Sequence, residues 1–276
     1  MSKVINIKNF QTSNELPFFL ISGPCQLESR DHVMFIAENL KIICDKLDIN
    51  LVFKTSFDKA NRTSLSAKRG VGLEKSLKIF EEIKKNFDLP ILTDVHTAEQ
   101  CNIINGIVDI IQIPAFLCRQ TDLLVAAAKT NLIVNVKKGQ FLAPWDMSNV
   151  IKKISDSKND KIFVTERGVS FGYNSLISDM RSLSIMKKEN YPVIFDATHS
   201  VQQPGGQGNS SGGEREYIYD LSKSAISIGI AGLFLEVHDD PDNAPSDGPN
   251  MLKIKDLELF LSKIKKIDQL IKNDKL

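Results

Sequence analysis

Short apolar segments alternate with segments of helical spacing along nearly the whole chain. Strands are predicted at Phe18–Gly23, Leu51–Phe53, Ile91–Thr93, Val108–Ile113, Leu132–Val136, Lys161–Val164, Pro192–Phe195 and Gly232–Leu235. The helices predicted after them are Asp31–Leu47, Glu74–Phe87, Ala98–Ile104, Thr121–Lys129, Asp146–Ser155, Leu176–Lys187, Tyr217–Gly229 and Ile254–Ile271. Nearly continuous apolar strands of this length are typical of parallel sheets that are buried on both faces.

Eight strand-then-helix units without a compositional break predict an α/β fold, a (β/α)8 TIM barrel, with one domain over residues 1–276. An open doubly wound sheet is disfavoured because no glycine-rich dinucleotide fingerprint follows the first strand. The alternating segment Val4–Ile7 predicts a short N-terminal extension that covers one end of the barrel.

The overall composition is that of an ordinary globular enzyme, with 42% hydrophobic and 25% charged residues. A formal net charge of +1 provides no general field, so we expect neither nucleic acid nor a membrane as a partner. The N-terminus lacks the apolar core of a signal peptide, and no apolar run is long enough to span a bilayer. We therefore expect a cytoplasmic protein.

Cationic side chains recur where the predicted strands end, which is where a barrel carries its active site. The densest stretch, Lys54–Arg62, follows the second strand. The cations in question are Lys54, Lys59, Arg62, Arg119, Lys137 and Arg167. So many cations at one barrel mouth predict substrates with more than one strongly anionic group. Any single one could instead form a structural salt bridge, and this is the preferred interpretation for Lys138.

A second group of strand-end residues offers metal ligands. Cys25, His199, Glu236 and Asp247 follow the first, seventh and eighth strands, which are neighbours in a closed barrel. Thiolate, imidazole and carboxylate suit a divalent transition ion, namely Zn²⁺, Fe²⁺, Mn²⁺ or Co²⁺. The other three cysteines, Cys44, Cys101 and Cys118, are interpreted as small core residues.

The loop Gln202–Gly213 is rich in glycine and poor in apolar residues, so it is interpreted as a mobile lid beside His199. Asp94, His96 and Asp247 are candidate proton carriers, because titratable groups at the barrel mouth can serve as general acids and bases. The sequence does not rank these three.

Five motifs, taken together, closely resemble the 3-deoxy-D-manno-octulosonate 8-phosphate synthase family. These motifs are Lys54–Arg62, Gln112–Asp122, Asn135–Lys138, Glu166–Gly168 and Asp196–His199, within a resemblance that runs from about Phe18 to Leu270. The resemblance implies a cytoplasmic homotetramer of barrels. It also implies the condensation of phosphoenolpyruvate with D-arabinose 5-phosphate and release of inorganic phosphate, for lipopolysaccharide synthesis.

The resemblance also implies roles for individual residues. The phosphoenolpyruvate site would be formed by Lys54, Ser56, Lys59, Gln112, Lys137 and Arg167, with Lys137 and Arg167 on the phosphate and stabilising it as it leaves. The arabinose 5-phosphate site would be formed by Asn61, Arg62, Thr63 and Ser64, and Arg119 would reach a neighbouring subunit's site. Thr63 departs from the family's usual serine but keeps a hydroxyl. Cys25 assigns the chain to the metal-dependent class of the family.

Two alternatives stay open at this point. A sister enzyme would condense phosphoenolpyruvate with another aldose phosphate, such as erythrose 4-phosphate, although Ala60–Arg62 favours the pentose. A non-catalytic barrel that senses sugar phosphates would keep the cations but could lose Cys25 or His199. The presence of both residues argues against it.

Overall fold

Over residues 1–206 and 211–273, which the computed structural model describes, eight parallel strands close into a barrel. In chain order the strands are Phe19–Gly23, Leu51–Lys54, Ile91–Asp94, Ile110–Ile113, Ile133–Lys137, Ile162–Glu166, Val193–Asp196 and Gly232–His238. Each strand pairs with the next, and the eighth also pairs with the first, with Gly232 opposite Phe19. The predicted (β/α)8 barrel is confirmed.

Helices connect the strands and cover the outside of the barrel. They are Arg30–Leu47, Leu73–Phe87, Ala98–Ile104, Thr121–Lys129, Met147–Asp156, Arg181–Lys187, Ile218–Ile226 and Ile254–Asn273, with a further short turn of helix at Ala197–Ser200. Local capping fixes several of their starts. Ser29 accepts a hydrogen bond from the backbone of His32, and Thr97 with Gln100 forms a reciprocal capping box.

Apolar residues on both faces of the strands explain why these segments lack alternation. Residues that face the barrel axis, among them Phe19, Val52 and Phe163, form one buried cluster. Residues on the opposite face, such as Leu20 and Phe53, pack against the helices in a second cluster. Cys44, Cys101 and Cys118 belong to this outer cluster, as the sequence predicted. The barrel interior is thus a packed core below the mouth.

The N-terminal extension is a hairpin and not a single strand. Ile5–Ile7 pairs with Phe10–Thr12, and buried Ile5 and Ile7 join the inner cluster of the barrel. Phe10 lies 5.9 Å from Phe19 between ring centroids, at the start of the first barrel strand. The hairpin therefore covers the end of the barrel opposite to the mouth, in agreement with the prediction.

One predicted helix begins later than its apolar spacing suggested. Leu176–Ile177 forms a strand that pairs with Val169–Ser170, and the helix begins only at Arg181. Gly172 and Asn174 adopt positive φ angles of 71° and 53° in the turn between the two strands. Such turn residues favour a hairpin over a helix.

The Gly-rich loop begins and ends in a small antiparallel pairing of Gln202–Gln203 with Gly212–Gly213. Residues 207–210 of the predicted lid lie outside the described residues, so its closure stays a prediction. Among the described residues, no helix has the length and apolar character needed to cross a membrane.

Candidate active site

A cavity of about 860 Å³ opens at the carboxyl ends of the barrel strands. Most of the residues singled out from sequence line it, namely Lys54, Lys59, Asn61, Arg62, Thr63, Asp94, His96, Gln112, Lys137, Arg167, His199, Glu236 and Asp247. Cys25 and Ser56 are buried and hydrogen-bond to the lining residues Asp247 and Asp94. Ser64 and Arg119 do not line the cavity.

Close contact between the first two strands sets the position of the mouth residues. A side-chain carbon on Gly23 would lie 1.9 Å from the backbone oxygen of Lys54, so only glycine fits there. The chain beyond Gly23 then brings the Cys25 carbonyl within 3.0 Å of the Lys54 ammonium. The same ammonium lies 2.5 Å from Glu236 Oε1, and both side chains are fully buried.

Three of the four predicted metal ligands come together at one side of the cavity. Cys25, Glu236 and Asp247 each offer a ligand atom, and these atoms lie within 4.8 Å of one another. Cys25 Sγ is 3.0 Å from Asp247 Oδ2. His199 Nε2 is 3.7 Å from Glu236 Oε2, a buried oxygen with no hydrogen-bond partner in the described part of the chain. His199 Nδ1 lies 2.7 Å from Asp196, which leaves Nε2 for a ligand.

The electrostatics of this group fit a divalent cation. Burial, together with the carboxylates of Asp247 and Glu236, raises the pKa of the Cys25 thiol well above its usual value. Burial also acts to raise the pKa of Asp247, but His199 and Lys59 hold it below the usual range. A bound divalent ion would compensate for the crowded anions and favour the thiolate, because metal binding displaces the thiol proton.

Cationic side chains form a second group in the cavity, next to the metal-ligand group. The Lys137 ammonium hydrogen-bonds to Asp196 and lies 3.3 Å from the centre of the Phe234 ring. Burial lowers the pKa of Lys137 to about 8, although Asp196 acts to raise it. Arg167 is buried and donates from Nη2 to Gln202 at 2.9 Å, whereas its buried Nη1 has no partner within residues 1–206 and 211–273. An anion is the partner that such a guanidinium edge would take.

Lys59 lies close to the metal-ligand group. Its ammonium is 4.0 Å from Glu236 Oε1. Burial acts to lower the pKa of Lys59, but its electrostatic interactions with Cys25, Glu236 and Asp94 together raise that pKa well above the usual range. These neighbours therefore favour the charged form of Lys59.

Asp94 contacts two polar side chains, those of Ser56 and His96. It accepts a hydrogen bond from Ser56 Oγ, and its Oδ2 lies 3.2 Å from His96 Nε2. Burial acts to raise the pKa of Asp94, but His96 and Lys59 lower it well below the usual range. Asp94 is thus an ionised carboxylate that holds the buried Ser56 hydroxyl and the His96 imidazole of the cavity lining.

A chain of side-chain hydrogen bonds holds Gln112 in place on the fourth strand. Its Oε1 accepts from Asn135 Nδ2 at 3.0 Å, and Asn135 Oδ1 accepts from Thr165 Oγ1 at 2.6 Å. Because all three side chains are buried and hydrogen-bonded, the Gln112 amide keeps one orientation.

Loop residues after the second strand form the outer part of the cavity. Arg62 donates from Nε to the Lys68 carbonyl at 3.0 Å and from Nη2 to Gln26 Oε1 at 2.9 Å. Asn61 and Thr63 are exposed and line the cavity beside it. Ser64 instead hydrogen-bonds to Ser66 at 2.9 Å.

Arg119 and Lys138 do not line the cavity. Arg119 is exposed, and its backbone oxygen accepts from Lys153. Lys138 is buried on the other side of its strand, where it donates to the Leu142 carbonyl at 3.2 Å and lies 3.3 Å from Glu166. These contacts agree with the structural interpretation of Lys138.

Two residues gain importance that sequence reasoning did not give them. Asp196 contacts both Lys137 and His199, yet only its place at a strand end drew attention to it. Gln202 accepts from Arg167 and donates to Asp247, both at 2.9 Å. No sequence signal marks Gln202, because its two partners are 35 and 45 residues away.

Comparison with known proteins agrees with this geometry. The model of the DAHP synthetase I family matches residues 3–273. The chain belongs to that family. A relative from Bartonella tribocorum is 62% identical over 97% of this chain and 96% of its own length. A relative from Brucella anthropi is 60% identical over 97% of each chain. Both are named 2-dehydro-3-deoxyphosphooctonate aldolase, another name for the synthase that the motifs resemble, so the resemblance is confirmed.

Proposed function

We propose that this chain condenses phosphoenolpyruvate with D-arabinose 5-phosphate and water to give 3-deoxy-D-manno-octulosonate 8-phosphate and inorganic phosphate. The observation that carries the proposal is the cavity itself, which combines buried Lys137 and Arg167 with a separate outer cation, Arg62. Two anion-binding regions in one cavity suit two phosphorylated substrates. The curated relatives named above are aldolases for this product.

In the proposed reaction, C3 of phosphoenolpyruvate attacks the aldehyde carbon while water adds to C2. The resulting phosphorylated hemiketal then loses inorganic phosphate by C–O cleavage. Lys137 and Arg167 bind the phosphate and stabilise its charge as it leaves. Lys54, Lys59, Ser56 and Gln112 complete the phosphoenolpyruvate site.

The second substrate lies toward the outer part of the cavity in this proposal. Arg62 binds its phosphate, with the exposed Asn61 and Thr63 beside it, and Ser64 follows in the same loop. Proton transfer is assigned to the group of Asp94, His96 and Asp247, because all three line the cavity next to the lysines.

Cys25, His199, Glu236 and Asp247 are the residues that would hold a divalent transition ion. When bound, Zn²⁺, Fe²⁺, Mn²⁺ or Co²⁺ supplies a Lewis acid that polarises the aldehyde or an added water. The buried Glu236 Oε2, which has no hydrogen-bond partner among the described residues, and the clustering of Cys25, Glu236 and Asp247 support this ligand set.

Phosphate release is the direct test of the proposed function. Purified protein with a divalent transition ion and phosphoenolpyruvate should release phosphate with arabinose 5-phosphate and much less with erythrose 4-phosphate. A preference for erythrose 4-phosphate would identify the sister enzyme of the family. Absence of release with every aldose phosphate, despite binding, would favour a sensor.

Arg62→Ala should raise KM for arabinose 5-phosphate by about tenfold or more, because a charged hydrogen bond of about 1.5–3 kcal/mol is lost. KM for phosphoenolpyruvate should change little, since Arg62 contacts Gln26 and Lys68 and lies apart from Lys137. Steady-state kinetics with each substrate varied in turn checks this. Ser66→Ala is a control on the same loop, since Ser66 is exposed and does not line the cavity. Equal effects of Arg62→Ala on both KM values would contradict the assignment.

We further propose a cytoplasmic homotetramer that supplies lipopolysaccharide synthesis and has no nucleic acid or membrane partner. The large exposed aromatic residues Phe116, Phe141, Trp145, Phe171 and Tyr173 support self-association. They lie on adjacent loops, since Ser170 hydrogen-bonds to the Gln140 backbone. Arg119, like Phe116, lies in the loop after the fourth barrel strand and would reach a neighbouring copy. Light scattering of Trp145→Glu/Phe171→Glu protein should show a smaller particle than wild type, and an unchanged mass would contradict this interface.

A further inference from the structure

We infer that Gln202 is a positioning residue that links the phosphate-binding side of the cavity to the metal-binding side. The inference rests on the proposed function, because it takes Arg167 as the phosphate ligand and Asp247 as the metal ligand. Gln202 is half-buried and lines the cavity between them. It hydrogen-bonds to both residues, and no other residue in the described part of the chain does so.

The chemistry of these two hydrogen bonds requires an amide. Gln202 Oε1 accepts from Arg167 Nη2 at 2.9 Å, and Gln202 Nε2 donates to Asp247 Oδ1 at 2.9 Å. A carboxylate at position 202 could accept from the Arg167 guanidinium but would repel Asp247. A cation there could donate to Asp247 but would repel Arg167. Only a neutral group with an acceptor at one end and a donor at the other suits both partners. The charges of the partners also fix which end of the amide faces each of them.

Gln202 holds one edge of each partner. Arg167 gives Nη2 to Gln202, and its buried Nη1 has no hydrogen-bond partner among the described residues. Asp247 gives Oδ1 to Gln202, and its Oδ2 accepts from Cys25 Sγ at 3.0 Å and from Ser246 Oγ at 3.1 Å. Gln202 therefore sets the orientation of the guanidinium and of the carboxylate together. A change in the orientation of the Gln202 amide would therefore affect both the guanidinium and the carboxylate.

The loop that carries Gln202 is itself fixed to the segment that carries Asp247. Gln202 pairs with Gly213 across the base of the Gly-rich loop. A side-chain carbon on Gly213 would lie 1.5 Å from Asn250 Oδ1, so the returning strand packs directly on the chain just after Asp247. The amide bridge and this close packing hold the same two segments together. The backbone of Gln202 is thus supported by the pairing with Gly213, and its side chain by Arg167 and Asp247.

The structure predicts that metal and phosphoenolpyruvate binding depend jointly on this amide. Gln202→Met keeps the length of the side chain and removes both hydrogen bonds. The Kd for Mn²⁺, measured by competition with a chelator, should rise about tenfold or more, as for loss of other groups that orient a metal ligand. The Kd for phosphoenolpyruvate, measured by titration calorimetry without aldose phosphate, should rise about fivefold to tenfold. Neither measurement requires turnover.

Gln203→Met is the matched control, since Gln203 lies in the same short strand but does not line the cavity. Both Kd values should stay within about twofold of wild type for this variant. In wild type, Mn²⁺ should lower the Kd for phosphoenolpyruvate, and by linkage phosphoenolpyruvate should lower the Kd for Mn²⁺ by the same factor. That factor should be smaller in Gln202→Met.

A Gln202→Met protein with both affinities unchanged, or with only one of them weakened, would overturn the inference. So would a wild-type protein in which Mn²⁺ leaves phosphoenolpyruvate binding unaltered. Failure of the proposed function would look different, because wild type itself would then bind phosphoenolpyruvate poorly or release no phosphate. The two failures are therefore distinguishable.

Discussion

Cys25→Ser protein is expected to lose most of its bound metal and most of its activity. Loss of a group that merely orients a metal ligand costs about tenfold to hundredfold in affinity, so loss of a ligand should cost at least about a hundredfold. A neutral hydroxyl is a poor substitute for a thiolate toward Zn²⁺, Fe²⁺, Mn²⁺ or Co²⁺. Elemental analysis and phosphate release on the same preparation measure both effects.

Cys101→Ser is the matched control for this substitution. Cys101 is buried in the outer core, and its Sγ lies 3.7 Å from the Thr97 carbonyl, to which a serine hydroxyl could also donate. Metal content and activity should therefore stay near wild type. Chelation of wild type should abolish activity, and Mn²⁺, Co²⁺, Fe²⁺ or Zn²⁺ should restore it to different degrees. Fully active wild type without detectable metal would leave Cys25 as a packing residue.

Cys25→Asn adds a sharper comparison. Asparagine is the residue of the metal-independent class that the resemblance implies, and it removes the thiol whose pKa burial raises. Some activity that resists chelation is expected if Lys54, Lys59 and the remaining groups already position the substrates. Activity of Cys25→Asn that depends on metal as strongly as wild type would show that the thiol is not the decisive ligand.

Periodicity was sufficient to predict the barrel because the strands are buried on both faces and the helices on one. Leu51–Lys54 and Ile133–Lys137 contain no exposed residue. The first appears as an uninterrupted apolar run ending in a lysine, and the second differs only by the buried Asn135. The same reasoning failed at Leu176–Ile177. There apolar residues belong to a hairpin, and the Gly172 and Asn174 turn was the better signal.

From the sequence, only those site residues that lie at the ends of strands could be predicted. Lys54, Lys137 and Glu236 could be assigned to the mouth because each ends or nearly ends a barrel strand. The roles of Asp196 and Gln202 could not, since they depend on which side chains meet across the cavity. Asp196 reaches Lys137 over 59 positions of sequence, and no local pattern encodes that contact.

The adjacent lysines Lys137 and Lys138 provide the second large expected effect. Successive residues of a strand face opposite sides, so Lys137 lies in the cavity while Lys138 faces the helices. The same change, lysine to methionine, should therefore damage catalysis at one position and stability at the next. Methionine keeps most of the apolar stem at both sites.

Lys137→Met should lower kcat with phosphoenolpyruvate by about 10²–10³-fold, the usual loss when one preorganised charge-stabilising group is removed. The effect on stability should be small. Burial already lowers the pKa of Lys137 to about 8, so folding does not favour its charged form. Asp196 also retains hydrogen bonds from Thr198 Oγ1 and the His199 backbone at 3.0 and 2.9 Å.

Lys138→Met should instead lower the free energy of unfolding by about 3 kcal/mol, because it leaves buried Glu166 without its cation, even though the carboxylate keeps hydrogen bonds from the Arg167 and Gly168 backbone and from Ser182. For a chain of this size that corresponds to a fall in melting temperature of roughly 10 °C. Its kcat per folded molecule at 25 °C should stay near wild type, since Lys138 does not line the cavity. Melting curves and single-turnover phosphate release on both variants provide the measurement. Full activity in Lys137→Met, or loss of kcat without loss of stability in Lys138→Met, would mean that the two lysines have been assigned to the wrong sides of the strand.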